Sequence, residues 1–326
     1  MADELTHRTV TLDDVRIHAV EAGPADGPLV LMVHGFPESW YSWRHQLPAL
    51  AEAGYRAVAI DVRGYGRSGA PTSIEAYGML RHVGDNVGVV RALGADTAVV
   101  VGHDWGAPIA WNSALLRPDV FTAVAGLSVP YNPRSSRRPS EAFRAIGGDQ
   151  EFYIEYFQEP GRAEAEAEAD VAGWLLGFYY SASGEGAPKA ANLGRVPHGG
   201  QLRDQMAVPD ALPDWLGEED LAFYVGEFER TGFSGGLNRY RNVDRDWADL
   251  AAWDHASIIV PAAFLGGSHD GPTLLGQAAI ERFGTTLPRL WRSEILDGCG
   301  HWTQQERPAE VTTFLLDFLA EAAPRP

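Results

Sequence analysis

Sulfur is scarce in this sequence: its 326 residues include one cysteine, Cys299. No disulfide can close within such a chain, so a reducing compartment is expected and stability must come from packing. Basic residues are few, 26 lysines and arginines against 44 aspartates and glutamates, leaving a net charge of −18. Phosphate backbones and anionic membrane surfaces repel a chain of that sign, so no nucleic-acid partner is expected. No apolar run reaches the ~20 residues of a membrane span. The N-terminal M-A-D-E-L-T-H-R lacks the basic-then-apolar order of a secretory signal, and a cytoplasmic location is expected. There is no internal repeat. The ten histidines and the cysteine show no metal-ligand spacing, so neither metal nor cofactor is expected. His7, His18, His45, His82 and His255 read as scattered or structural. Apolar side chains are plentiful at 45%, enough for one large core or for a core with an inserted domain.

Along the chain, Val10–Leu12 and Val15–Glu21 read as an opening hairpin. Leu29–Val33 is a continuous apolar run, the pattern of a strand buried on both faces of a parallel sheet. Tyr41–Ala53 and Arg81–Leu93 have helical spacing, with Ala57–Ile60 as a strand between them. Thr97–Val101, Ala107–Leu116 and Val120–Leu127 continue the alternation as strand, helix and strand. The class is therefore α/β, with a mostly parallel central sheet flanked by helices. The alternation stops near Tyr131-Asn132-Pro133-Arg134. Glu151–Tyr156, Ala163–Tyr180, Asp220–Thr231 and Leu237–Arg241 then read as helices, and the Gly- and Pro-rich Ser181–Pro213 as loop. Within this stretch A-E-A-E-A-E-A-D at Ala163–Asp170 reads as a solvated helix face. The α/β pattern resumes with Ile258–Leu265, a helix around Gln277–Phe283, a strand at Leu290–Leu296 and a helix at Ala309–Glu321. The expected organisation is a core of residues 1–130 and 247–326 around an all-helical lid of residues 131–246.

The chemistry centres on V-V-V-G-H-D-W-G-A at Val99–Ala107. A strand turns into a helix at Asp104, with Gly102 and Gly106 two residues to either side, because larger side chains there would collide. This is a nucleophile elbow with aspartate where G-x-S-x-G enzymes carry serine. An aspartate at that place is often only a helix N-cap; the paired glycines favour the nucleophile. The fold's chain order of nucleophile, acid and histidine then selects Asp270, in G-G-S-H-D-G, and His301, in D-G-C-G-H-W. Both follow strands, where such sheets place their chemistry; Asp297 is the rival acid. His34-Gly35-Phe36-Pro37 and the residue after the nucleophile supply the oxyanion-hole amides, here Phe36 and Trp105. Gly64-Tyr65-Gly66-Arg67-Ser68-Gly69 matches a dinucleotide fingerprint formally, but Ala70-Pro71-Thr72-Ser73 opens no helix, so a structural loop is expected.

A carboxylate attacking a carbonyl would form a poor anhydride. Attack on saturated carbon instead gives an ester whose carbonyl belongs to the enzyme, which water activated by His301 can hydrolyse. The leaving group is then a halide or an epoxide oxygen. The latter needs a proton donor such as tyrosine, which stays protonated at neutral pH. Pattern alone leaves Tyr131, Tyr153, Tyr156, Tyr179, Tyr180, Tyr224 and Tyr240 as candidates.

H-G-F-P-E-S-W-Y-S-W-R at His34–Arg44, D-x-R-G-Y-G-x-S at Asp61–Ser68 and G-H-D-W-G-A at Gly102–Ala107 resemble the soluble-type epoxide hydrolases of the α/β-hydrolase fold. So do F-Y-I-E-Y-F-Q-E-P-G at Phe152–Gly161, L-N-R-Y-R-N at Leu237–Asn242 and G-C-G-H-W-T-Q at Gly298–Gln304. The resemblance implies that Tyr153 and Tyr240 activate the epoxide, that Tyr156 packs, and that Phe36-Pro37 is a cis peptide. It also implies a small apolar epoxide substrate, a pocket lined by Phe36, Pro37, Trp105, Phe157 and Trp302, and a monomer or homodimer. Arg239 departs from the pattern, standing where an aromatic is expected, and so does Gly271-Pro272 after Asp270. Two rivals remain: a haloalkane dehalogenase, in which the Trp105 indole would hold halide, and a non-catalytic small-molecule receptor on the same fold.

Overall fold

In the computed structural model, which describes residues 5–323, the opening hairpin pairs β1, Thr6–Thr11, with β2, Arg16–Ala22. Met1–Glu4, where the segment read for a targeting signal begins, and Pro324–Pro326 lie outside the described residues. β3 (Leu29–Val33), β4 (Arg56–Ile60), β5 (Ala98–His103) and β6 (Phe121–Leu127) follow. Then come two short strands, β7 (Glu151–Phe152) and β8 (Arg195–Val196), and finally β9 (Ala262–Gly267) and β10 (Leu290–Leu296). Eight strands form one sheet in the order β1-β2-β4-β3-β5-β6-β9-β10. From β4 to β10 all neighbours are parallel, and β2 is antiparallel to β4. The chain winds outward in one direction through β3 and β4, and in the other from β5. Sheets of this type bind ligands outside the carboxyl ends of the strands where the order reverses, here between β3 and β5.

The apolar runs cover both faces by simple alternation. Leu31, Val33, Val58, Ile60 and Val100 join one core cluster, and Val30, Met32, Ala57, Ala59 and Val99 the other. The second face is covered by Leu47 and Leu50 of α1, Gln46–Glu52, and by Val311, Phe314 and Phe318 of the C-terminal helix Pro308–Ala322. The first face takes α2, Met79–Ala92, and α3, Gly106–Leu116. Among the described residues no helix is long and apolar enough to cross a membrane.

The Gly64–Gly69 loop is built around a carboxylate. Gly66 has φ +51°, and a Cβ there would lie 2.2 Å from Asp61 Oδ2. Buried Asp61 accepts the Trp40 amide at 2.9 Å and the Arg67 amide at 2.9 Å, and meets His18 Nδ1 at 2.7 Å. The glycine lets the loop close over this acid, and a 3-10 turn, Ile74–Tyr77, follows it.

Between Leu127 and Ala262 the main sheet takes no strand among the described residues. Besides two helices the sequence did not announce, Pro139–Gly147 and Val243–Asp249, two features of this inserted segment differ from the all-helical reading. Glu151 and Phe152 do not begin a helix; Glu151 pairs with Val196 and Phe152 with Arg195, far along the chain, and the helix starts at Tyr153. A two-residue pair with a distant partner has no local periodicity to announce it. The second difference is larger. Glu164 and Glu166 of the A-E-A-E stretch are buried, 7% and 4% exposed, not solvated. Glu166 accepts from the Tyr156 hydroxyl (2.5 Å), the Trp174 indole (2.9 Å) and the amides of Leu202 and Arg203 (both 2.9 Å). Glu164 pairs with Arg241 at 2.8 Å. A carboxylate enters an interior when donors fill its lone pairs, and these donors come from remote parts of the chain. The run also breaks at Asp170, whose side chain accepts from the Gly173 amide and caps a second helix, Val171–Ala182.

Candidate active site

Asp104 stands at the turn from β5 into α3, with φ +50°. The flanking glycines are required by contact: a Cβ on Gly102 would lie 2.0 Å from the Gly106 carbonyl oxygen, and one on Gly106 2.0 Å from that of Val33. Gly35 is equally constrained, because a Cβ there would meet Asp104 Oδ1 at 2.2 Å. That approach brings the Phe36 amide to Asp104 Oδ1, to which it donates at 2.7 Å. The Phe36-Pro37 peptide is cis. Trp105 is the N-cap residue of α3, directly after Asp104.

The second oxygen, Asp104 Oδ2, lies 3.3 Å from His301 Nε2, and His301 Nδ1 lies 2.8 Å from Asp270 Oδ1. All three are buried, Asp104 at 8% exposed, His301 at 6% and Asp270 at 0%. Asp297 is elsewhere, its carboxylate meeting Ser268 Oγ at 3.5 Å. Asp270 is also the N-cap of the helix Gly271–Leu275, accepting the Thr273 amide at 3.1 Å. The departure Gly271-Pro272 is thereby explained: proline fits the first turn of a helix, where its missing N–H is not needed.

The charges hold one another. Burial opposes an ionised Asp104, but His301 and the Phe36 amide outweigh it and keep the carboxyl below its ordinary value. Burial likewise opposes the imidazolium, yet Asp270 and Asp104 push His301 well above the ordinary histidine value. Each group thus favours the charged form of the other against the burial of both.

The hydroxyls sort the seven tyrosines. Tyr131 donates to the Ala256 carbonyl, Tyr156 to Glu166, Tyr179 to the Pro37 carbonyl, Tyr180 to Glu185 and Tyr224 to Gln305. Tyr153 and Tyr240 donate to no protein acceptor among the described residues. Their rings stand 6.1 Å apart, and both phenols are raised above the ordinary tyrosine value, first by burial and next by the Asp104 charge. The Trp105 ring stands edge-on to the Tyr240 ring at 5.1 Å. Phe36 lies edge-on to Phe157 at 5.8 Å and to Tyr240 at 5.4 Å, and Trp302 packs 4.6 Å from the His301 ring. Pro37 is buried beside them and binds Tyr179 through its carbonyl. Arg239, the departure before Tyr240, is 2% exposed. It pairs with Asp246, donates to the Tyr77 carbonyl and lies 4.8 Å over the Trp105 ring.

Several supporting residues escaped the sequence reading. Glu38 is fully buried, meets His103 Nδ1 at 2.7 Å and accepts from Gln304 and Gln305, both at 3.1 Å; His103 Nε2 donates to the His301 carbonyl at 2.7 Å. Glu306 accepts the amides of Gly300 (3.1 Å), Trp302 (3.0 Å) and Gly184 (2.8 Å), while the His301 amide donates to the Ala182 carbonyl (2.8 Å). The histidine loop is thus fixed at every amide from both core and inserted segment. Ser128 contacts both Asp270 and His301. Its place just past β6 was the available signal, since strand carboxyl ends carry the chemistry of such sheets.

A family model described as alpha/beta hydrolase fold matches residues 28–186. The chain is 45% identical to "Epoxide hydrolase B" of Mycobacterium tuberculosis, with 98% of this chain and 99% of that one covered. It is 46% identical to "Epoxide hydrolase A" of the same organism, over 96% and 97%. The solved structure of an epoxide hydrolase from an endophytic Streptomyces superposes with a TM-score of 0.94 at 60% identity, covering 97% of this chain and 95% of that one. Epoxide hydrolase A from Mycobacterium thermoresistibile superposes at 0.92 and 49% identity, covering 98% and 99%.

Proposed function

This chain belongs to the epoxide hydrolases of the α/β-hydrolase fold, and on that premise we propose that it opens a small apolar epoxide to a vicinal diol through a covalent ester on Asp104. Asp104 Oδ2 attacks an epoxide carbon; the carbon–oxygen bond breaks, its electron pair goes to oxygen, and that oxygen takes a proton from Tyr153 or Tyr240. Asp104 Oδ1 becomes the ester carbonyl oxygen, held by the amides of Phe36 and Trp105. Residues 131–246 act as a lid over a core of residues 1–130 and 247–326, and carry both tyrosines to the side facing the nucleophile. Phe36, Pro37, Trp105, Phe157 and Trp302 form the apolar wall.

Ester formation also resets the base. The ester is neutral, so the Asp104 charge that raises His301 disappears. His301 then passes its proton to the phenolate on Tyr153 or Tyr240 and, now neutral, accepts one from the water that attacks the Asp104 carboxyl carbon; the ester carbon–oxygen bond breaks, its oxygen leaves as the diol with a proton from His301, and the carboxyl proton left on Asp104 passes to His301. The same loss of charge eases the phenolate left behind on Tyr153 or Tyr240. The observation that carries this reading is the pair of phenols with uncommitted protons that both feel the Asp104 carboxylate. A dehalogenase has no use for a proton donor, since halide leaves unaided, and would leave both phenols without a role.

A single turnover of styrene oxide in heavy-oxygen water tests the ester. Label is expected in the Asp104 peptide and not in the diol; label confined to the diol would refute the covalent route. Tyr153→Phe and Tyr240→Phe are each expected to lower kcat/KM for epoxide by ~10² and the double variant by more, since a positioned proton donor is worth ~10²–10⁴. Wild-type rates in the double variant would remove the phenols from the reaction.

A further inference from the structure

Ser128 is fully buried one residue past β6, at φ +72°, a backbone region that residues other than glycine seldom enter. The sheet ladder does not end before it, since its amide donates to the Leu265 carbonyl of β9 at 2.9 Å. The left-handed turn directs the side chain between two members of the triad. Ser128 Oγ is 2.6 Å from Asp270 Oδ2 and 2.8 Å from His301 Nδ1.

One hydroxyl proton serves one acceptor. An ionised Asp270 only accepts, and His301 Nδ1 carries the proton that faces Asp270 Oδ1 at 2.8 Å. Ser128 therefore donates to Asp270 and accepts from His301, so the Nδ1 proton is shared between a carboxylate oxygen and a hydroxyl oxygen. Asp270 is also held without the Ser128 hydroxyl: the Thr273 amide donates to Oδ2 at 3.1 Å, and the single Thr273 hydroxyl proton faces both Oδ2 at 2.6 Å and the Ser128 carbonyl at 2.8 Å. What Ser128 adds is a second acceptor on the imidazole, to one side of the first. Two acceptors on Nδ1–H resist rotation of the ring and bind more strongly when the ring becomes cationic.

We propose that Ser128 is a positioning residue for the ester-hydrolysis half of the reaction, holding Nε2 of His301 toward the attacking water and sharing the charge the ring gains on taking its proton. The inference rests on the ester reading above. It assigns Ser128 no part in ester formation, which uses Asp104 and the phenols.

Rapid-quench single turnovers of styrene oxide on the full-length enzyme separate the two steps. Ser128→Ala and Ser128→Gly remove the hydroxyl, the second without backbone strain at positive φ. Ser128→Cys fills nearly the same space with a weak donor and acceptor. In all three, ester formation is expected within about twofold of wild type and ester hydrolysis slower on the order of tenfold, the scale of one hydrogen bond to a charged group. Wild-type hydrolysis in Ser128→Cys would make the residue a packing element and overturn the proposal, as would equal slowing of both steps. Wild-type enzyme is measured in the same series. If heavy-oxygen label enters the diol and not Asp104, the covalent reading falls and this inference with it; if label enters Asp104 and the variants hydrolyse the ester at the wild-type rate, only the role of Ser128 falls.

Discussion

Asp104→Ala is expected to lower diol formation by ~10⁴ or more and to leave no covalently modified enzyme. The size follows from what is removed. A general base alone contributes ~10²–10⁴. Loss of the attacking group from a concerted catalytic set costs up to ~10⁶, because the remaining members have nothing to act upon. Steady-state diol production by chromatography and intact-protein mass after exposure to epoxide read the two effects. A loss of only ~10² with diol still formed would recast Asp104 as a base for direct attack by water.

The same variant reports on the electrostatics. Removing the carboxylate takes away one of the two charges that raise His301, so its ring is expected to titrate lower than in wild type, as histidine NMR across a pH series measures. The linked stability has a definite sign. Folding raises His301, so its share is whole below the unfolded histidine value of ~6.5 and drains as pH climbs through the raised folded value. Folding depresses Asp104, so its share is present above ~4 and lost as pH falls through the depressed value. The stability that the pair contributes to wild type, relative to Asp104→Ala, is therefore widest between those limits and shrinks toward both. Denaturant midpoints that show no such window would mean that the buried pair is not ionised.

The parts of this molecule legible in its sequence are those set by neighbours along the chain. Leu29–Val33 and Val99–Val101 announce buried parallel strands because both of their faces need apolar side chains. Gly102, Asp104 and Gly106 announce the elbow because its steric demand spans five residues. Chain order and places after strands single out Asp270 and His301, which the sheet topology brings together. What stayed hidden depends on distant partners. Glu166 reads as a surface charge until Tyr156, Trp174 and the 202–203 amides close around it. Ser128 and Glu38 look like ordinary loop residues, since each acts on groups more than 60 positions away. Arg239 breaks an aromatic pattern for a reason visible only in three dimensions: Asp246 and the face of Trp105 make room for its charge.

His301→Gln is expected to convert the enzyme into a reagent that consumes about one equivalent of epoxide and then stops. In the proposed mechanism ester formation draws on Asp104 and the phenols, all of which remain, whereas ester hydrolysis requires a base at Nε2 that glutamine cannot provide. Removing that base should slow ester hydrolysis by ~10³ or more. Intact mass should then rise by the mass of one epoxide, and digestion should place the adduct on Asp104. The variant also tests the pairing in reverse. Without His301, Asp104 loses the charge that most strongly keeps it ionised against burial, and its carboxyl shifts upward. Ester formation should accordingly fade at mildly acidic pH, where wild type still reacts, because a protonated carboxyl is no nucleophile. Sustained turnover to diol by His301→Gln would remove the histidine from the hydrolytic step. A stable adduct on Asp104 with an acid-sensitive rate of formation would tie the two halves of the reaction to the two sides of one buried ion pair.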